Sequence, residues 1–236
     1  ADLRTAASAP DAFHRVVVGA HAASCWKVGD TLILTTPDWD LNNAFSSVIT
    51  GVDVAAGEVA VADAVPPAFA HATTAVDPEF AVEAASLSRA IVLDAEDDDG
   101  DEGLIGGHLI VVHTPDVAQF VEGVEFVNFG QQGNIGRYPF HFHMSLDVSG
   151  SVLSKNVVHH SNQRCLVMHG TNGVEIVDNV AFETHGHCFF TEDGYETNNT
   201  FRHNLGANIR KPKHVIPGEN DDIPSVFWIT NPTNHW

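Results

Sequence analysis

The sequence predicts an all-β chain whose second half winds into a parallel β-helix. Three observations carry that prediction. Apolar residues show almost no helical periodicity. Short runs of β-branched and aromatic residues recur instead between Gly, Asn, Asp and Pro, the pattern of strands and turns. In the second half, similar segments return at intervals of about one solenoid coil.

The elements follow in chain order. Arg15–Gly19 (RVVVG), Thr31–Thr35 (TLILT), Glu58–Val61 (EVAV), Ala90–Leu93 (AIVL) and His108–His113 (HLIVVH) each read as a strand. Val76–Ser88 (VDPEFAVEAASLS) is the one stretch that suits a short helix. Further on, Gly123–Asn128 (GVEFVN), Gly150–Asn156 (GSVLSKN) and Gly173–Asn179 (GVEIVDN) start 27 and then 23 residues apart, and Asn199–Asn204 (NTFRHN) follows them. A unit of that length, with short strands and an Asn at the turn, suits one coil of a parallel β-helix, whose apolar face is buried only by stacking on the next coil. Leucine-rich repeats share the length but need a Leu ladder that this chain lacks. Stacked Asn156, Asn179 and Asn204 are expected to hydrogen-bond along the axis. Ser225–Asn231 (SVFWITN) reads as a further strand, and no polar capping coil follows it, so the native protein is expected to continue beyond Trp236.

Composition narrows the function. The chain has 236 residues, enough for one large domain or two small ones. At 44% apolar and 18% charged it is a folding sequence rather than a disordered one. Its 31 acidic side chains against 11 basic ones give a net charge of -20. That excludes nucleic acid and anionic membrane surfaces as expected partners, because both need clustered Lys and Arg. No apolar run reaches the roughly 20 residues of a membrane span. The first residues show neither a charged-then-apolar leader pattern nor an initiating Met, so a mature or excised chain is expected. Most of the acid reads as solvated surface. The run Asp94–Glu102 (DAEDDDGDE) is dense enough for a hard cation but lacks the EF-hand spacing.

Of 15 His residues, eight lie between positions 141 and 203. In Gly136–Asp147 (GRYPFHFHMSLD), His141 and His143 share a face by strand alternation. One coil later comes Cys165–His169 (CLVMH), and one coil after that His187–Asp193 (HCFFTED). Stacking at about 4.8 Å brings His143, His169 and the pair Glu192/Asp193 toward one groove. Imidazoles with carboxylates suit a divalent metal, and they suit acid–base work without metal equally. A plain stack of aromatic rings is the structural alternative. Arg137, Asp147 and Arg164 flank the cluster, and an Arg fork suits the carboxylate of a uronic-acid sugar, the alternative being a local salt bridge. Cys165 and Cys188 fall at similar places in consecutive coils, either bonded or as a reduced inward ladder, with the ladder slightly favoured. Asn198-Asn199-Thr200 is a glycosylation sequon.

The blocks Gly130–Met144 (GQQGNIGRYPFHFHM), His159–Gly173 (HHSNQRCLVMHGTNG), Gly186–Gly206 (GHCFFTEDGYETNNTFRHNLG) and Ser225–Pro232 (SVFWITNP) resemble one family: the cell-surface hyaluronidases, the cell-migration-inducing hyaluronan-binding proteins and the fibrocystins. The resemblance is strong over residues 105–236. Cys25–Asp30 (CWKVGD) and Leu87–Arg89 (LSR) are similar, more loosely, to the glycine-rich β domain that precedes the β-helix in that family.

The resemblance implies an N-terminal β-sandwich-like domain over 1–104 and a right-handed parallel β-helix over 105–236. It implies an extracellular or cell-surface protein and, from the hyaluronidase members, calcium-dependent cleavage of hyaluronan. The resemblance points to Asp147, just past the first block, with Glu192, Asp193, Arg137 and Arg164, expected in catalysis, and to His141, His143, His169 and His187, expected to hold a divalent metal, calcium or zinc. Two departures stand out. The chain reads Ser145-Leu146-Asp147 where relatives tend to have Gly before the Asp. Its acidity also opposes a polyanion at low salt. The leading expectation is a hyaluronidase-like enzyme on an acidic polysaccharide, with a carboxylic acid protonating the leaving oxygen. The rival is a non-enzymatic adhesion or structural module of a larger surface assembly.

Overall fold

The computed structural model describes residues 14–38, 40–71, 82–95 and 104–236. The chain divides into two compact units, Ala1–Ser88 and Arg89–Trp236. The acidic run after Ala95 falls outside the described residues.

In the first unit, β1 (Arg15–Val17), β2 (Thr31–Leu34), β3 (Phe45–Asp53), β4 (Glu58–Val61) and β5 (Ala84–Ser86) form an antiparallel sheet in the order β1-β4-β3-β2-β5. β3 pairs along its first half with β2 and along its second half with β4, across a register shift between Ile49 and Gly51. Its alternation sets Phe45 and Ile49 into a core with Val16, Leu32, Leu34, Val59 and Val61. Two short helices, α1 (Ala20–Cys25) and α2 (Ala68–His71), went unread in the sequence because each is only one or two turns long. The helix expected over Val76–Ser88 is corrected where it is described. Ala84–Ser86 is a strand, held by pairing with Leu32–Leu34, and tertiary pairing outweighs the helix propensity of Ala.

The second unit is a stack of parallel coils. One sheet runs β17 (Phe227–Trp228), β14 (Phe189–Thr191), β12 (Leu166–Val177), β10 (Phe140–Ser154) and β7 (Leu109–Val112), with β15 (Thr200–Arg202) on β12 and β8 (Phe120–Glu122) on β10. The other runs β16 (Leu205–Arg210), β13 (Val180–His185), β11 (Val157–Ser161), β9 (Val124–Val127) and β6 (Ile91–Asp94). All of these pairs are parallel. β6, upstream of residue 104, thus belongs to this second sheet. β10 and β12 each bend mid-strand, so one long strand serves two faces of a coil. Phe126, Phe140, Phe142, Leu153, Leu166, Ile176, Phe189 and Phe201 fill the interior.

The asparagine ladder forms as expected. The Asn179 side-chain oxygen accepts from the Asn156 N–H at 3.0 Å, and Asn204 does the same for Asn179 at 3.0 Å. Each follows a corner residue in the left-handed region, Lys155 (φ 55°), Asp178 (φ 58°) and His203 (φ 56°). A second ladder went unread: Asn199 accepts from the Val174 N–H and Asn234 from the Asn199 N–H, both at 3.0 Å.

One part of the expected repeat is out of phase. Gly150–Asn156 and Gly173–Asn179 are coil neighbours, with Leu153 opposite Ile176. Val124–Val127, however, pairs with β11 in the other sheet. The counterpart in that coil is β8, which pairs with Val152–Ser154, and Gly123 (φ 66°) occupies the corner that Lys155 takes one coil on. The motif Gly-Val-Glu-apolar-Val fits either sheet, because both bury alternate residues. Unequal coils hid the slip. Leu109 pairs with Phe140, a step of 31, whereas Leu166 pairs with Phe189, a step of 23.

Cys165 and Cys188 are lateral neighbours joined by a disulfide, with Cα atoms 4.5 Å apart, which corrects the preference for a reduced ladder. At the last coil, Phe227 and Ile229 are exposed and Trp236 stacks on Phe201, ring centres 3.9 Å apart. Asn198 of the sequon is exposed.

Candidate metal and acid–base site

Strand pairing builds the site. Phe140 and Phe142 point into the core, so His141 and His143 point out. His143 sits directly opposite His169 in the next coil. Met168 pairs with Thr191, which puts Glu192 and Asp193 beside His169 in the coil after that. The strand leaves the face immediately afterwards. Gly170 (φ 54°) turns it, and a Cβ there would lie 2.6 Å from the Met144 sulfur.

Each of the three imidazoles offers one ring nitrogen, and these nitrogens lie within 4.8 Å of one another. The His143 and His169 Nδ1 atoms are 3.0 Å apart. Glu192 Oε2 lies 3.6 Å from His169 Nδ1 and 3.9 Å from His141 Nε2. On the far side of the ring, His169 Nε2 meets Asp193 Oδ2 at 2.9 Å.

Hydrogen bonds outside the cluster fix two tautomers. The Gly136 carbonyl, 3.1 Å from His141 Nδ1, can only accept, so Nδ1 carries the proton and Nε2 the lone pair. Asp193 likewise accepts a hydrogen bond from the Nε2–H of His169 and leaves Nδ1 with a lone pair. Both lone pairs face the same point. His141 Nε2 and Glu192 Oε2 are buried and have no hydrogen-bond partner among the described residues. Burial pushes the His141 imidazole down to about 3, and His143 is lowered by burial and by repulsion from the neighbouring His169 ring. Burial raises Glu192, against the pull of His169 and Arg164.

A long segment before β17 covers part of this outer face and was not legible as a cover. Ile216 packs with Tyr138, Val167 and Phe190. Arg164, fully buried, forks onto Asp221 at 2.9 and 2.8 Å, donates to Glu219 at 2.9 Å and donates to the Tyr138 hydroxyl oxygen at 3.2 Å. Its remaining edge lies 3.5 Å from Glu192 Oε1. Arg164 therefore positions Glu192 and has no free fork for a ligand carboxylate. Glu196, also fully buried, was missed. It accepts from the backbone N–H groups of Gly170, Asp193 and Gly194 and ties the carboxylate turn to the histidine strand. Nothing in its spacing marked it.

The other expected residues stand apart. His187 is two positions before Phe189, in the register of Arg164 rather than of His169. Its ring packs against Trp228 (4.2 Å) and Phe190 (5.4 Å), and its Nδ1 accepts from the Ser225 N–H. Asp147 is exposed and accepts from the Ser149 N–H and hydroxyl at 2.9 and 2.6 Å, which lowers its carboxyl. Arg137 is exposed and contacts His108 at 2.7 Å.

Comparison with known proteins places these elements in context. A family model described as the CEMIP beta-helix matches residues 104–236. The human protein named cell surface hyaluronidase CEMIP2 is 31% identical over 254 residues, covering 90% of this chain and 18% of that protein. The human cell migration-inducing and hyaluronan-binding protein is 32% identical, over 89% of this chain and 18% of its own length. A G8 domain-containing protein of Dictyostelium discoideum is 36% identical over 66% of this chain and 11% of its length. The chain thus spans less than a fifth of the curated relatives it matches.

Proposed function

The chain belongs to the CEMIP β-helix family, a hyaluronan-related group, and from that premise we propose that it engages an acidic polysaccharide, outside the cell or at its surface, over the face of His143, His169, Glu192 and Asp193. No described helix is long and apolar enough to cross a membrane. The observation that carries the reading is the pairing of two carboxyl groups with one imidazole at a half-buried edge: Asp193 holds His169, and His169 faces Glu192. Burial favours the protonated form of Glu192, which suits it to deliver a proton to a glycosidic oxygen. Asp193 orients His169, whose Nδ1 lies 3.6 Å from Glu192 and suits activation of water beside that acid. The outcome is hydrolytic cleavage within the polymer.

One observation favours the rival, a binding or structural module without catalysis. Arg164, one of the two cations expected to hold a uronate, is spent inside the protein, and the other, Arg137, contacts His108. A panel of hyaluronan, other uronic-acid polymers and neutral glycans separates the two readings, with chain length followed by size-exclusion chromatography. Salt should be varied, because a net charge of -20 repels a polyanion until it is screened. Cleavage of an acidic polymer, falling by about 100-fold or more in Glu192→Gln, is the expected result. Binding without cleavage selects the module. The absence of both binding and cleavage overturns the proposal.

A further inference from the structure

We propose that His141, His143 and His169 form a binding site for a divalent transition-metal ion of the zinc class, with Glu192 Oε2 facing the ion's fourth position. The inference deepens the reading above, since it rests on the same face being the functional one, but it stands on separate observations.

The first is convergence: three ring nitrogens lie within 4.8 Å of one another on neighbouring strands whose pairing fixes their backbones. The second is preorganisation. Metal-bound imidazoles commonly donate their other N–H to a carbonyl or carboxylate, which sets the tautomer and aims the lone pair at the ion. Gly136 O does this for His141 and Asp193 does it for His169. The third is the pair of orphaned atoms. His141 Nε2, on a residue 1% exposed, and Glu192 Oε2 are both buried without a partner. A buried lone pair with no donor is costly, and a cation among these atoms satisfies them together. His187 Nε2 is buried without a partner as well, but it stands alone; here two such atoms, His141 Nε2 and Glu192 Oε2, face the same three-imidazole cluster.

The donor set also selects the ion. Calcium and magnesium prefer six or more oxygens, whereas three imidazoles with one open or carboxylate-facing position suit zinc, cobalt or nickel. The expectation of calcium or zinc thus narrows to the zinc class for this triad.

The test uses the 236-residue chain, stripped with a chelator and titrated with ZnCl2, CoCl2 and CaCl2 by calorimetry, with the visible spectrum of the cobalt form as a second readout. The expected result is one equivalent of zinc or cobalt bound, a cobalt spectrum of low-coordinate nitrogen ligation, and no competition from calcium. His143→Ala should weaken zinc by at least about 100-fold. Asp193→Asn keeps every donor and should weaken zinc by about 10–100-fold, the usual effect of losing an outer partner. That change covers the case in which a histidine variant fails to fold. Absence of zinc binding, or equal affinity in wild type and Asp193→Asn, overturns the site. The polysaccharide panel run with and without chelator keeps the two proposals separable. Zinc binding with no glycan engaged leaves the metal site standing and removes the glycan reading. Glycan cleavage by protein that binds no zinc does the reverse.

Discussion

Two polar stacks run through the same β-helix, and both arise from the same coil-to-coil pairing. At one corner, Asn156, Asn179 and Asn204 align. Asn179 accepts from Asn156 N–H, and its own amide donates to Leu153 O and to the Asn204 oxygen, each at 3.0 Å. On the outer face of the other sheet, His141, His143, His169, Glu192 and Asp193 align, and there His141 Nε2 and Glu192 Oε2 are left without partners. The amides are saturated by neighbouring backbone, and their arrangement is complete without any other molecule. The imidazoles hold outward lone pairs at a common point. Whether the buried polar atoms are satisfied is therefore what separates scaffolding from chemistry here, because burial and stacking are common to both.

Arg164 sits between the two cases, since it is saturated yet supports the site. Its replacement should have the largest effect on stability. Arg164→Met leaves Asp221, fully buried, without its ion partner and should cost about 3–5 kcal/mol in urea unfolding. A loss below about 1 kcal/mol would mean that the covering segment is not held by this fork. Asn179→Ala comes next. It strands the Asn156 N–H and the Leu153 carbonyl in the interior, at about 1–3 kcal/mol for each orphaned group. The ladder predicts that this loss exceeds that of any single change on the histidine face.

Proton linkage sharpens the contrast further, because amides do not titrate. His141 has a folded value of about 3 against an ordinary 6.5, so below about pH 6.5 the unfolded chain binds a proton that the folded chain refuses. The stabilisation is present in full above pH 6.5 and is lost as pH falls toward 3. The loss is at most about 1.4 kcal/mol per pH unit for one proton. In metal-free protein, His141→Phe should flatten the stability–pH slope between those values by up to one proton, and Asn179→Ala should leave the slope unchanged. Equal slopes in wild type and His141→Phe would show that His141 titrates normally.

Much of this was legible in the sequence because a solenoid converts period into adjacency. His169 follows His143 by 26 residues and Glu192 follows His169 by 23, and each step is one coil. The same logic gave the asparagine ladder. It failed where coil length varies, as at Gly123–Asn128, and where two residues decide the register, as at His187. It was blind to the segment carrying Ile216, Glu219 and Asp221, which reaches Arg164 across 55 and 57 residues through contacts that no period encodes. The preference for a thiol ladder failed for another reason: stacking at one coil suits a bonded and a reduced pair equally, and the sequence holds nothing that chooses between them.

The central claim is that the histidine face is built for a ligand and not for stability. Urea unfolding of His141→Phe at pH 7, without added metal, tests it most directly. The variant removes a buried orphan nitrogen and one hydrogen bond, to Gly136 O, while keeping an aromatic ring of similar shape. The account predicts stability within about 1 kcal/mol of wild type, or slightly above it. A loss of 3 kcal/mol or more, on the ~1–3 kcal/mol scale of a stranded polar group, would contradict it and would make the imidazoles part of the scaffold.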